Sequence, residues 1–197
     1  MTRPGVAWVG VAALLGACAL AGWLLPHEAL DWQPALAFSQ PWRAITPVGV
    51  HYSLNHLIGN LAGIALAGVF GVAALVPTRM AWAWLAAWPL THLGLLAKPE
   101  LAHYGGLSGV VHAGVAIVIV YVLITGNRRQ RLVGAAVFTG FIAKLLSESP
   151  WGEALRHPPG WDIAVAPVVH ATGALAGAVC AAVALGLPRR TRTPSET

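Results

Sequence analysis

Four side chains in this sequence carry groups suited to acyl transfer, and their spacing places them together. Ser108 lies in Gly105-Gly106-Leu107-Ser108-Gly109-Val110-Val111-His112, and His170 lies in Val168-Val169-His170-Ala171-Thr172-Gly173. A hydroxyl near an imidazole is a nucleophile with a general base, able to hand the serine proton on to a leaving amine. His56 and Asn60 lie in His51-Tyr52-Ser53-Leu54-Asn55-His56-Leu57-Ile58-Gly59-Asn60. Being four residues apart, they share one face of a helix. Their neutral donors, with the backbone N–H of Ser108 at a helix start, suit an oxyanion hole. No aspartate or glutamate within an apolar run is placed to orient His170, so the expectation is a Ser–His dyad rather than a triad.

The elements that must position these groups are set by composition. The chain has 197 residues, 57% hydrophobic and 10% charged, with mean hydropathy +0.67. Soluble domains carry about 25% charged residues. That balance excludes a soluble enzyme, a disordered chain, a coiled coil and a nucleic-acid-binding module. Cys18 and Cys180 both lie in apolar runs, so no disulfide framework or cysteine zinc site is available. The reading is an all-α polytopic membrane protein with six transmembrane helices, at about 5–25, 53–76, 80–97, 107–126, 131–148 and 163–187. The third is interrupted by Pro89. Residues 1–187 form one membrane domain, and 188–197 read as a short basic disordered tail.

Arginine placement orients the spans. With the N-terminus in the cytoplasm, Arg3, Arg79, Arg128, Arg129, Arg131, Arg189, Arg190 and Arg192 lie inside, and only Arg43, Lys98 and Arg156 lie outside. This is the positive-inside pattern with both termini cytoplasmic, and it accounts for the net charge of +5 without a nucleic-acid partner. Cys18 follows Leu15-Gly16-Ala17 in loose imitation of a lipoprotein cleavage site, but an apolar run reaching Leu25 reads as a retained helix.

The cytoplasmic arginines also serve as a depth ruler. Asn60 lies 19 residues from Arg79, Ser108 lies 20 from Arg128, and His170 lies 19 from Arg189. At 1.5 Å per residue each sits roughly 28–30 Å above that floor. All three therefore share one level, about 10–15 Å beneath the outer surface of a membrane 40–45 Å thick. Gly173 and Gly177 form a G-x-x-x-G edge on the sixth span, and Gly109 with Ala113 forms a small edge on the fourth. Such edges bring helix backbones close.

Other polar residues have plainer readings. Lys144 and Glu148, four apart on the fifth span, read as a helix-surface pair with a snorkelling lysine. The alternative is that they face a substrate gate. Trp23, Trp32, Trp42, Trp151 and Trp161 read as interfacial anchors. A metal site or transporter lined by His51, His56, His92, His112 and His170 is a competing reading. No H-E-x-x-H and no carboxylate within the membrane accompanies those histidines, so the pattern requires no metal or cofactor.

These motifs together resemble the rhomboid intramembrane serine proteases, over Trp42 to Gly177. Trp42-Arg43 stands in the first loop. His51, His56 and Asn60 form the family's His-x4-His-x3-Asn, Gly106-Leu107-Ser108-Gly109 its Gly-x-Ser-Gly, and His170 with Gly173 and Gly177 its last core helix. The resemblance implies cleavage of transmembrane segments by Ser108 and His170, with an oxyanion site from His56, Asn60 and the Ser108 backbone. His51, Gly106, Gly109, His112, Gly173 and Gly177 would be supporting residues. The first loop, about Pro26 to Val50, would be a support in the outer leaflet, with Arg43 a scaffold residue. The fifth helix and the loop before it would act as a gate. Two positions depart from the family pattern. His112 stands where many rhomboids have a tyrosine stacking on the catalytic histidine, and Val72 occupies the region of a frequent glutamate. The compact form looks like the bacterial rhombosortase branch. That implies an inner-membrane enzyme opening to the periplasm, whose partners are the lipid bilayer and exported proteins with Gly-Gly-type C-terminal anchors. The alternative is a non-catalytic rhomboid-like protein that binds transmembrane clients.

Overall fold

The structure, a computed structural model, describes residues 4–186, so the expected tail over 188–197 lies outside the described residues. Among the described residues the fold is helical, its only β pairing two isolated bridges. Helices of 16 to 20 residues stand at all six expected positions: α1 (Val6–Gly22), α3 (Leu54–Ala73), α4 (Thr78–Leu93), α5 (Ser108–Thr125), α6 (Arg128–Ser147) and α7 (Pro167–Gly186). The short α2 (His27–Leu30) lies in the first loop. By length and composition α3, α5 and α7 are able to cross a membrane, and α1 is as apolar but shorter.

Helix ends follow local chemistry. Asn127 and Gln130 form a reciprocal capping box that starts α6 three residues before the expected boundary. Ser53 caps α3 by accepting from the His56 N–H at 3.1 Å. The sixth span was expected from 163, but α7 begins at Pro167, whose missing N–H and fixed φ suit a first helical position. The residues just before it run extended, and Val165 pairs with Arg156 through two backbone bonds of 2.8 Å. Pro89 is carried inside α4, which gives way after Leu93 to a 3₁₀ turn over Gly94–Ala97.

Packing centres on α5, which is flanked by α3, α4, α6 and α7. Trp8, Leu15, Met80, Trp84, Leu107 and Ile117 are fully buried in the main core. The indoles of Trp8 and Trp84 stack at 4.2 Å. Each also donates to a helix carbonyl, Trp8 to Ala67 at 3.0 Å and Trp84 to Val110 at 2.8 Å, so their polar edges are satisfied without water. Between α5 and α7 the backbones nearly touch: a Cβ on Gly173 would overlap the Gly109 carbonyl, and one on Gly177 the Ala113 carbonyl. That seam is the expected small-residue edge, and it sets the distance between the helices that carry Ser108 and His170.

The first loop packs against this bundle as a set of short turns. Arg43 is buried and donates to Asp31 Oδ1 (2.9 Å), the Asp31 carbonyl (2.6 Å), the Glu28 carbonyl (3.0 Å) and Gln40 Oε1 (2.7 Å). Its role is therefore architectural. Trp32 is not an interfacial anchor: it is fully buried, and its backbone exchanges two hydrogen bonds with Tyr104. The tyrosine's own loop leads into Ser108, so the indole is taken up as the floor of that loop. Trp42, Trp151 and Trp161 are exposed, as anchors would be.

Candidate active site

Ser108 is the first residue of α5, so its N–H belongs to the unpaired first turn. The loop that delivers it is held from below by the Gly106 N–H on the Pro47 carbonyl (2.9 Å) and the Tyr104 hydroxyl on the Gly106 carbonyl (3.0 Å). Gly106 has φ +144°, and a Cβ there would come to 3.0 Å from the ring of His56. Glycine is required both for the backbone and for the imidazole beside it.

His170, one turn into α7, reaches across the glycine seam, and its Nε2 lies 2.9 Å from Ser108 Oγ. Its Nδ1 lies 2.7 Å from Glu148 Oε2. The expectation that no carboxylate reaches His170 is therefore overturned. Glu148 follows the last residue of α6, and the turn of that helix aims its side chain inward at α7. A carboxylate only accepts, so this contact assigns the proton to Nδ1 and leaves Nε2 free to accept the serine hydroxyl proton. That is the tautomer a general base needs.

Lys144 and Glu148 do pair, at 2.7 Å through Oε1, but not as an isolated pair on the helix surface. The ammonium also donates to His112 Nε2 at 2.8 Å and stands 3.4 Å from His170 Nδ1. His112 Nδ1 lies 2.7 Å from the Ser108 carbonyl. An ammonium only donates and a carbonyl only accepts, so both nitrogens of His112 are committed and the ring is fixed as a neutral imidazole. It stacks on His170 with centroids 4.2 Å apart and planes 15° from parallel. The histidine thus fills the place of the stacking tyrosine, with an added polar link to α6.

His56 and Asn60 line the same cavity as Ser108 and His170, whose volume is about 670 Å³. Both are buried, and the Asn60 amide nitrogen and His56 Nδ1 have no hydrogen-bond partner among the described residues. Buried polar atoms are ordinarily paired, and these two lie on side chains that line the cavity holding Ser108 Oγ. His51 is fully buried behind them, its ring 4.8 Å from that of His56. Gly109 meets α7 as expected, and Gly173 and Gly177 form the other side of that seam. Among the described residues no group of three His, Cys, Asp or Glu is placed to hold a metal ion, and His92 lies apart with Nδ1 on the Ala44 carbonyl.

The loop over the cavity is the one that follows α6, not the one before it. Pro158, Trp161 and Ile163 line the cavity from this loop. The loop before α6 is the Asn127 turn at the far end of α5 and α6, which a site at Ser108 cannot use. Asp162 ties the covering loop to the start of α3, accepting from Ser53 Oγ (2.9 Å) and Asn55 Nδ2 (3.0 Å). Trp161 lies over Gly59, where a Cβ would stand 3.3 Å from its ring. Two residues with clear roles in this geometry, Glu148 and Asp162, were thus absent from the expected site. The signal for Glu148 was its i, i+4 relation to Lys144; for Asp162 none was visible.

No curated protein and no solved structure matches this chain. Residues 39–187 match the Rhomboid domain family, which generally comprises intramembrane serine proteases acting on membrane-protein substrates. That match spans every residue of the cavity and most of the chain. The protein is an integral membrane protein that belongs to the rhomboid family.

Proposed function

We propose that the protein is an intramembrane serine endopeptidase with Ser108 as nucleophile and His170 as general base. The observation that carries this reading is the 2.9 Å contact between Ser108 Oγ and His170 Nε2, in a cavity also lined by the side chains of His56 and Asn60. Ser108 Oγ adds to the scissile carbonyl carbon as its proton passes to His170 Nε2. The oxyanion that forms is stabilised by Asn60, His56 and the Ser108 N–H. His170 then returns the proton to the leaving nitrogen as the C–N bond breaks, and an acyl enzyme remains. Water, or an amine acceptor, adds to the acyl carbon with His170 again taking the proton, and the ester C–O bond then breaks as His170 returns that proton to Ser108 Oγ.

All six long helices span the membrane in this proposal, with both termini cytoplasmic and the site opening outward. The charge distribution supports that orientation. The reading places the protein in the rhombosortase branch, at the bacterial inner membrane. Its substrates would be exported proteins held by C-terminal Gly-Gly-type anchors, cut near the periplasmic face. A fluorophosphonate probe should label the purified wild-type protein and spare Ser108→Ala, while His170→Ala labels at least 10²-fold more slowly. Co-expression with membrane-anchored exports, followed by mass spectrometry of released termini, identifies the cut. A folded wild type that neither labels nor cleaves refutes the peptidase and favours a client-binding protein.

A further inference from the structure

We propose that Glu148 is the positioning carboxylate of a Ser108–His170–Glu148 triad, and that the triad is complete only while α6 is seated against α5 and α7. The inference rests on the peptidase reading and adds to it a third member carried by a different helix.

The local chemistry makes Glu148 decisive for the tautomer of His170. Two groups compete for Nδ1: the Glu148 carboxylate at 2.7 Å, which accepts, and the Lys144 ammonium at 3.4 Å, which donates. If Lys144 wins, Nδ1 becomes an acceptor and the ring proton moves to Nε2, where it faces Ser108 and the base is lost. Glu148 prevents this in two ways: it accepts from Nδ1 through one oxygen and holds the ammonium at 2.7 Å through the other. Its own backbone carbonyl is fixed by Arg156 at 2.8 Å. Every polar atom of the residue that could steer the side chain is therefore engaged.

The carrier of this carboxylate buries little of its surface in the protein. Of the twenty residues of α6 only Gly134 and Leu145 are buried in the protein. Gly134 meets Val122 at the end of α5 remote from the site. Leu145 is the one buried apolar residue in the half of α6 that holds Lys144 and Glu148. Ser108 and His170, by contrast, sit on helices whose backbones are in contact. Outward movement of α6 therefore opens the side of the cavity and removes Glu148 from His170 in the same motion, leaving the Ser–His distance unaltered. Hydrolytic competence and access to the lipid are set by one helix.

The test uses the full chain purified in detergent and a fluorophosphonate probe, with kinact and KI measured separately. Glu148→Gln should lower kinact roughly 10²- to 10⁴-fold, the range for a base held in the wrong tautomer, with KI within about twofold. In that variant Lys144 takes the amide oxygen and turns the amide N–H toward Nδ1. Lys144→Met added to Glu148→Gln frees the amide to rotate and should restore kinact at least about tenfold; a merely structural role for Glu148 gives no such rescue. Glu148→Asp should retain more activity than Glu148→Gln, and it keeps the test informative where the amide variant folds poorly. Leu145→Ala should lower kinact in the wild type and cause no further loss in Glu148→Gln. A Glu148→Gln protein labelled at the wild-type rate overturns the triad and leaves the peptidase reading standing. A Leu145→Ala loss of equal size in both backgrounds overturns the link to α6. Failure of the wild type itself to label removes the peptidase and the triad together.

Discussion

Gly173→Ala provides a direct measure of how tightly the fold controls the Ser–His distance. A methyl at this position would lie 2.8 Å from the Gly109 carbonyl carbon and 3.2 Å from its Cα, where carbon pairs rest at about 3.5–4.0 Å. The neighbouring atoms are backbone on both helices, so no side chain can rotate aside. Relief requires α5 and α7 to part by about 1 Å. His170 lies one turn before Gly173 and Ser108 directly precedes Gly109, so the displacement passes to the reacting pair. Their 2.9 Å contact lengthens to roughly 3.9 Å, beyond hydrogen-bond range. A misplacement of this size costs about 10²-fold in rate, close to 2.7 kcal/mol of barrier. The assay is the rate of fluorophosphonate labelling alongside thermal unfolding of the same detergent preparation. Gly140→Ala is the control: it lies on α6, a Cβ there meets nothing within 4 Å, and both its labelling rate and its Tm should match the wild type. If Gly173→Ala labels at the wild-type rate, the seam does not set the distance and the reasoning fails.

Two further outcomes follow from the same geometry. Asn60→Ala should lower the cleavage rate roughly 10²- to 10³-fold with little change in Tm if Asn60 serves the proposed oxyanion site, since its amide nitrogen has no partner among the described residues; a large loss of Tm with a normal rate per folded molecule would assign Asn60 to packing instead. Arg43→Ala should destabilise the fold by about 1–3 kcal/mol, because the Asp31 and Glu28 carbonyls lose their donor while the Asp31 carboxylate keeps His103 and Gln33. Thermal unfolding will show that loss, and labelling extrapolated to the folded fraction should stay near normal because Arg43 does not line the cavity.

The convergence of the site residues was readable in the sequence because a helix rises by a fixed step per residue. Counting from arginines at a common floor placed Asn60, Ser108 and His170 on one level, and the structure brings all three to one cavity. Helix rotation is not encoded so directly. An i, i+4 pair of lysine and glutamate looks the same on any face, so Lys144 and Glu148 read as a surface pair although they point at His170. Trp32 was misplaced for a related reason: an indole in a loop between spans resembles an anchor, and only the fold of the first loop against Tyr104 buries it. The covering loop was the least legible part. Asp162 holds Ser53 and Asn55 across 109 and 107 residues of sequence, and no local periodicity reports a contact of that range.

The internal pairing of Lys144 with Glu148 also bears on how the chain is made. Helices leave the ribosome in order, so α6 emerges ahead of α7. A lone lysine or glutamate is costly to place in a bilayer, but these two lie one turn apart and neutralise each other within a single helix. In the six-span proposal this pair enters lipid as a neutral unit, with the arginines of α6 at its other end, and α7 then meets a carboxylate that has one oxygen still open to receive it.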